Sequence, residues 1–399
     1  MSEIPAGYKQ TKAGVIPEDW EVKSLFDLAE RKKELFDDGD WIESEHITTQ
    51  GIRLVQTGNI GIGHFVEKDE KKFIYEKSYE TLKCKQLWVG DLLVCRLADP
   101  AGRACVFPDI SESLSVTSVD VTIFRPPNDK VSRAFLVNVF SSPAWFRVVS
   151  DRSGGTTHKR ISRSALGGIE IQLPPKAEQD AIAEALSDAD ALIESLGQLL
   201  TKKRHLKQAT MQELLTGKKR LPGFSGEWKS KQLGEVCTMK SGAAITSANI
   251  DDYSEFPCYG GNGLRGYTTT CTHDGHYALI GRQGALCGNV VIVSGRFFAS
   301  EHAVVVTPMR ETDIQWLAVV LARMNLNQYS ESSAQPGLSV SKLLVMPCTM
   351  PPLPEQSAIA AILADMDAEI ADLDVQLAKN RALKQGMMQK LLTGEVRLI

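Results

Sequence analysis

EQDAIAEALSDADALIESLGQLLTKKRHLKQATMQELLTGKKRL, residues 178–221, returns 177 positions later as EQSAIAAILADMDAEIADLDVQLAKNRALKQGMMQKLLTGEVRL, residues 355–398. The two stretches align without a gap and agree at 25 of 44 positions, which marks a tandem duplication. The same offset carries upstream. Pro174-Pro175 answers Pro351-Pro352, and Ile161-Ser162 with Ser164 and Leu166 answers Leu338-Ser339 with Ser341 and Leu343. Farther out the likeness fades to single landmarks. Trp20 with Leu25 resembles Trp228 with Leu233, and Arg96 in VCRLADPAG sits where Arg282 sits in LIGRQGALCG. The chain therefore reads as a variable block (1–173), a connector (174–221), a second variable block (222–350) and a second connector (351–399).

Each connector follows prolines, runs about 39 residues without another, and ends at a helix-terminating glycine, Gly217 or Gly394. Apolar residues fall at Ile182, Leu186, Ala189, Ile193, Leu196 and Leu200, and again at Ile359, Leu363, Met366, Ile370, Leu373 and Leu377. Steps of four and three define a coiled-coil seam. At ~1.5 Å per residue each helix would reach roughly 58 Å, too long to bury its stripe alone. Charge supplies the direction. Glu178 to Glu194 holds six acids and no base, and Lys202 to Arg220 holds seven bases against Glu213. The second copy repeats the polarity, with six acids from Glu355 to Asp374 and five bases against Glu395 from Lys379 to Arg397. Acids first and bases last suit the helix dipole. Antiparallel packing of the copies also lays each acidic half along a basic half, whereas parallel packing sets like against like. The expectation is an intramolecular antiparallel pair; the alternatives are separate docking on each block or pairing between chains.

The blocks read as mixed α/β with short strands and glycine loops. Strand-like runs are Leu92–Arg96, Val119–Phe124, Tyr277–Ile280, Asn289–Val293 and Ala303–Val306, with helical stretches near Arg133–Val149 and Asp313–Asn325. Polar glycine loops lie at Gln56–Asn59, Tyr259–Tyr267 and Arg282–Gly284. With 399 residues, 43% hydrophobic and 24% charged, the chain suits two or three folded domains rather than disorder. No apolar run is long enough for a membrane helix, and the first residues lack a secretory h-region. Eight cysteines without a CxxC pair read as reduced thiols, and the expected location is the cytoplasm.

Net charge of −4 gives no bulk sign of a nucleic-acid partner. Locally, six bases face one acid, Asp151, between Arg133 and Arg163. The core of that stretch, Ser153 to Arg160, combines hydroxyls, glycine amides and cations, a mixture suited to phosphates and base edges. The matching Ser332 to Gly337 is polar but uncharged. GxxxxGK[ST], GxSxG and HExxH motifs are absent. Cys271, His273 and His276 have metal-ligand chemistry but loose spacing for zinc, and read as a hairpin loop.

Taken together, the duplicated connectors, the P-P-x-x-E-Q string before each, the LLTG ends, YGGNGLRGY (259–267) and GTTHKRIS (155–162) resemble the specificity (S) subunits of bacterial type I restriction–modification systems. The resemblance spans essentially the whole chain. It implies an α/β (α+β) fold with two target recognition domains, separated by two long helices that form an intramolecular antiparallel coiled coil with a pseudo-two-fold repeat. It implies a non-catalytic chain that reads a bipartite, asymmetric double-stranded DNA target and docks two adenine methyltransferase (M) subunits, with restriction (R) subunits joining them. No cofactor or metal is expected on this chain, S-adenosylmethionine belonging to the methyltransferase partner, and no membrane is involved. Matching positions suggest DNA contacts at Arg96, Arg103, Thr157, His158, Lys159 and Arg160 in the first block, and at Tyr259, Asn262, Arg265, Tyr267, Arg282 and Gln335 in the second. The rival readings are a coiled-coil scaffold that reads no DNA and a metal hydrolase using His273 and His276.

Overall fold

The computed structural model describes residues 4–12, 14–97, 100–155, 159–284, 286–330 and 337–398. Two compact units emerge, one of residues 1–196 with 376–399, the other of residues 197–375. Both connectors are single helices of 39 residues, Lys176–Leu214 and Leu353–Leu391. The unit boundary falls within each helix. Each unit therefore holds one block, the start of the connector that follows it and the end of the other connector.

In the first unit, a four-stranded antiparallel sheet runs in the order Phe36–Asp38, Val121–Phe124, Leu92–Cys95, Ala104–Val106. A second sheet pairs Ser115–Thr117 in parallel with Ile52–Val55 and continues through Lys72–Ile74 to Ile47–Thr48. The helical stretch expected over Arg133–Val149 is two helices, Arg133–Phe140 and Pro143–Asp151. Ser142 caps the second through the Trp145 amide, and Pro143, lacking an N–H, opens it at a first-turn position. Trp20, Phe36, Phe124, Phe135, Phe140 and Trp145 form the main core, joined by Ile182 and Leu186 of the first connector and Leu391 of the second.

The second unit is built on a six-stranded sheet, ordered Cys237–Ser241, Ala303–Pro308, His273–Gly281, Val290–Ala299, Phe256–Gly260, Gly263–Thr268. The stretch 259–267, expected as a loop, is mostly a β-hairpin turning through Gly261-Asn262. Gly263 holds a positive φ of 84° there, a conformation glycine adopts without strain. The helix Ile314–Arg323 starts at Asp313, whose carboxylate accepts from the Gln315 and Trp316 amides. Its Trp316, Leu317 and Leu321 pack with Ile359 and Leu363 of the second connector and Leu214 and Leu215 of the first.

The repeated Glu-Gln pair explains how each connector is seated. In the first unit Glu178, 4% exposed at its side chain, accepts from Trp20 Nε1 at 3.0 Å and from Arg397 Nε and Nη2 at 2.7 and 2.8 Å. In the second, Glu355 accepts from Trp228 Nε1 at 3.1 Å and from Arg220 Nε and Nη2 at 2.5 and 2.6 Å. Gln179 accepts from the Ser132 amide at 2.8 Å and donates to Pro174 O at 2.8 Å; Gln356 does the same with the Asp313 amide at 2.9 Å and Pro351 O at 2.8 Å. Each arginine comes from just beyond the helix of the other connector. Gly217 and Gly394, at φ 68° and 71°, end the helices in the left-handed conformation and turn the chain toward these contacts.

The expected antiparallel pairing is present in both units. In the first, Lys384 Nζ meets both oxygens of Asp190 at 2.5 and 2.6 Å. In the second, Arg204 meets Asp374 at 2.8 Å, Lys203 meets Glu369 at 2.6 Å, and Lys207 pairs with Asp367. Ile182, Leu186, Leu200, Ile359, Leu363 and Leu377 are buried; Ala189, Ile193, Leu196, Met366, Ile370 and Leu373 are half-buried, so none of the twelve seam residues is exposed. Among the described residues no helix is long and apolar enough to cross a membrane.

Candidate nucleic-acid interface

The two blocks differ in strand number yet build the same loop frame at the end of one strand. In the first block the strand Leu92–Cys95 runs into Arg96, whose amide donates to Asp120 O at 2.7 Å and whose carbonyl accepts from the Ile161 amide at 3.0 Å. Leu97 then bridges Arg160. In the second, His273–Gly281 runs into Arg282, whose amide donates to His302 O at 2.8 Å and whose carbonyl accepts from the Leu338 amide at 3.0 Å. Gln283 then bridges Gly337. The return turns match as well, Gly102 N to Cys95 O and Gly288 N to Gly281 O, both 2.7 Å. So do the crossings at Asp40 with Ser118 and Ala243 with Ser300, each a parallel bridge. Arg96 and Arg282 are thus structural counterparts, as their sequence settings suggest.

Their side chains differ. Arg96 is 3% exposed, with Nη1 on Ile161 O at 3.2 Å and Nη2 on Val119 O and on Asp38 at 3.0 Å. Burial pushes the Asp38 carboxyl above its ordinary value, and Arg96, Thr122 and Arg163 pull against that shift. Arg103 spends Nε, Nη1 and Nη2 on the carbonyls of Ile60, Pro100 and Thr57 at 2.7, 3.0 and 2.9 Å. Both arginines therefore pin loops of the frame rather than face outward. Arg160 lies at its rim, half-exposed and paired with Asp120 at 2.8 Å, and Lys159 is exposed with Nζ on Ser150 Oγ at 2.9 Å. Thr157 and His158 lie outside the described residues.

In the second block the frame is tighter in backbone and more open in side chains. A Cβ on Gly281 would come within 2.2 Å of Gly261 O, and one on Gly261 within 3.0 Å of Gln283 O and 3.2 Å of His302 O. Only glycine permits this approach. It brings the hairpin turn with exposed Asn262 beside Arg282 and Gln283. Arg265, also exposed, lies over Gly260, where a Cβ would meet its Cδ at 2.4 Å. Arg282 donates from Nη1 to Ser241 Oγ at 3.0 Å, and His302 Nδ1 lies 3.0 Å from Gln283 Oε1. Tyr259 and Tyr267 are half-buried. Tyr259 packs edge-on against Phe297, and burial pushes its phenol above the ordinary value. Tyr267 pairs through its backbone with Asp251. Gln335 lies outside the described residues.

Sequence reasoning missed Asp38 and Ser241, which meet the two arginines from other strands, and Asp120 and His302, whose carbonyls accept from the arginine amides out of turns; none carries a local motif. Gln283 adjoins Arg282 in the RQG loop and was open to notice. His273 stacks on Phe297 at 5.4 Å between ring centres, and His276 Nδ1 lies 2.9 Å from Ser294 Oγ. Among the described residues no group of three or more His, Cys, Asp or Glu is placed to hold a metal.

A family model described as the type I restriction modification DNA specificity domain matches residues 17–202 and again residues 225–379. The EcoprrI specificity subunit from Escherichia coli is 50% identical over 145 residues, covering 35% of this chain and 36% of that protein. The MjaVIII specificity subunit from Methanocaldococcus jannaschii is 27% identical over 229 residues, covering 55% and 50%. The match thus spans between a third and a half of these curated relatives. Among solved structures, the type I restriction-modification S subunit from M. genitalium aligns with a TM-score of 0.61 at 18% identity, covering 96% of this chain and 97% of that one. A chain from a structure of complex assembly and conformational transition in the type I R-M system aligns at 0.56 and 16% identity, covering 96% and 99%. At such identities the likeness is one of fold. The two family matches, one to each block with part of the connector that follows it, take in well over half of the sequence, and the chain belongs to the type I restriction–modification DNA specificity subunits.

Proposed function

We propose that each block reads one half of a bipartite, asymmetric DNA target, and that the chain carries no catalytic group of its own. The observation that supports this reading is the loop frame built twice with different side chains. Arg160 and Lys159 occupy the rim in one block; Asn262, Arg265, Arg282 and Gln283 occupy it in the other. Equal scaffolds with unequal donors are what two different half-sites require, because donor and acceptor patterns on base edges distinguish sequences. An acidic total charge is compatible with this, since phosphate attraction depends on local cations.

In this reading the chain works in the cytoplasm. Two adenine methyltransferase subunits dock on it, bring S-adenosylmethionine, and flip the target adenines out of the duplex; restriction subunits join through them. Mapping methylated adenines in DNA exposed to this chain with its methyltransferase partner tests the proposal. The expected result is one bipartite motif with unlike halves. Methylation that is independent of the chain, or at sites with no shared sequence, would overturn it and favour a scaffold.

A further inference from the structure

We propose that the residue opposite the frame arginine decides whether that arginine reads DNA, so that Ser241 makes Arg282 a specificity-determining residue while Asp38 withdraws Arg96 from that role. This rests on the DNA-reading function proposed above. The two positions correspond strand for strand. Phe36–Asp38 pairs antiparallel with Val121–Phe124, and Cys237–Ser241 pairs antiparallel with Ala303–Pro308. The residue after each, Gly39 or Gly242, donates its amide to Val121 O at 2.8 Å or Ala303 O at 2.9 Å. A Cβ on either glycine would press on two carbonyls of the crossing strand, at 2.3 and 2.5 Å for Gly39 and at 2.3 Å for both at Gly242. Asp38 and Ser241 therefore end equivalent strands, and each touches the frame arginine of its own block at 3.0 Å.

The chemistry of the two contacts differs in kind. A carboxylate neutralises a guanidinium and shares its hydrogen-bonding edge, and in the first block two carbonyls take further donors. Arg96 is left 3% exposed. A serine hydroxyl accepts one hydrogen bond and leaves the positive charge uncompensated. Arg282 stays half-buried, and among the described residues no carboxylate is ion-paired with it. The nearby Glu301 is engaged elsewhere, by the Ile245 amide at 3.2 Å and by His302 at 3.3 Å. A second difference reinforces the first. Asp120, which pairs with Arg160 in the first block, is replaced in the frame by His302, and Arg160 by Gly337. The second frame thus lacks the acids that close the first. The serine holds Arg282 by one nitrogen, leaving donors for acceptors on DNA, either the O6 and N7 edge of guanine or a phosphate.

The test is a double-mutant cycle on the full chain, selecting duplexes from a pool with a randomised stretch and then measuring affinity for the enriched sequence. Ser241 is exposed, so Ser241→Asp is tolerated sterically, and unchanged thermal melting checks this. Ser241→Asp and Arg282→Ala should each weaken binding by about ten- to a hundredfold, with the other half of the motif unchanged. On an Arg282→Ala background, Ser241→Asp should add almost nothing, because its effect acts through the arginine. Ser241→Ala should keep the motif. If Arg282 reads a base, preference at one motif position relaxes; if it holds a phosphate, the motif persists at lower affinity. Full additivity of the two changes would mean simple repulsion by the new carboxylate and would overturn the proposal, as would a Ser241→Asp chain that binds like the parent. A parent chain that enriches no motif would instead refute the DNA-reading function itself.

Discussion

At Glu178 a carboxylate 4% exposed is held by an indole N–H and a two-pronged guanidinium, with Arg397 also lying 5.9 Å from the Trp20 ring centre. Removing the charge while keeping the shape leaves Arg397 with only the more exposed Asp19 as a counter-ion. Glu178→Gln should destabilise the first unit by about 2 kcal/mol, less than for a fully enclosed pair because Arg397 keeps some solvent contact. Urea unfolding followed at Trp20 would show it. Glu355→Gln should act in the same direction on the second unit. Arg397 also holds the Asp19 carboxyl below its usual range. That contribution is present above the unfolded-state value, near 3.9, and fades as pH falls through the lowered one. Thiols give a second check. Burial pushes Cys105 and Cys237 up to about 12, and Cys84 and Cys348 up to about 11. Cys271 is the one cysteine that is not buried. It should be the first alkylated by iodoacetamide at pH 8, with the others protected until unfolding, as mass spectrometry would report.

Within the connectors, the apolar seam supplies the stability and the charges supply direction. The interhelical pairs are solvent-exposed, such as Lys203 with Glu369 at 33% and 57%, and such pairs are worth about 0–1 kcal/mol each. Like charges along the whole interface would oppose the parallel arrangement all the same. Leu186→Ala should cost about 3 kcal/mol, because the side chain is fully buried in the core of the first unit. Leu363→Ala should cost a similar amount in the second. Leu192→Ala, at a side chain 49% exposed on the same helix, should stay within about 0.5 kcal/mol. Thermal or urea melts of the three variants separate seam from surface. Equal losses at Leu186 and Leu192 would mean that the seam is misplaced.

At the scale of the whole chain, the duplication suggests that a truncated chain of residues 1–221 can replace its missing half with a second copy. Its connector keeps the acid-to-base polarity that favours antiparallel self-association, and Arg220 is present to take the place of Arg397 at Glu178. The expected species is a dimer that directs methylation to a palindrome of the first half-site. Light scattering showing a monomer at high concentration would refute this. The length of the connectors bears on the target itself. Helices of 39 residues extend ~58 Å, the length of about 17 base pairs at ~3.4 Å each. If the target is bipartite as proposed and the helix pair holds the domains apart, half-site centres should lie about one DNA turn apart. Inserting four residues within Ala189–Leu200 and four within Met366–Leu377 roughly preserves helix phase and adds ~6 Å. The unread spacer should grow by one or two base pairs with both half-sites unchanged. An insertion in one copy alone should mainly lower the melting temperature, since it puts the seams out of register. Methylation only at the original spacing by the doubly lengthened chain would show that the helices are not the ruler.

The repeat, the two long helices and their antiparallel sense were legible in the residues, because seam spacing and charge order are properties of one helix face and need no knowledge of distant contacts. The correspondence of Arg96 with Arg282 was legible for the same reason, each following a recognisable strand. What each arginine does was decided by tertiary structure. Asp38 and Ser241 lie 58 and 41 positions away from their arginines, and nothing local to VCRLADPAG or LIGRQGALCG shows which will be met by a carboxylate. The Tyr259–Tyr267 glycines likewise concealed a hairpin, since glycine permits a loop and a tight strand turn equally, and the choice came from pairing with Val290–Ala299 and closure over Gly281. Nor did the Glu-Gln motif disclose that Glu178 is completed by Arg397, 219 residues away. A buried carboxylate requires a partner, but only the folded chain determines which end of which helix brings it.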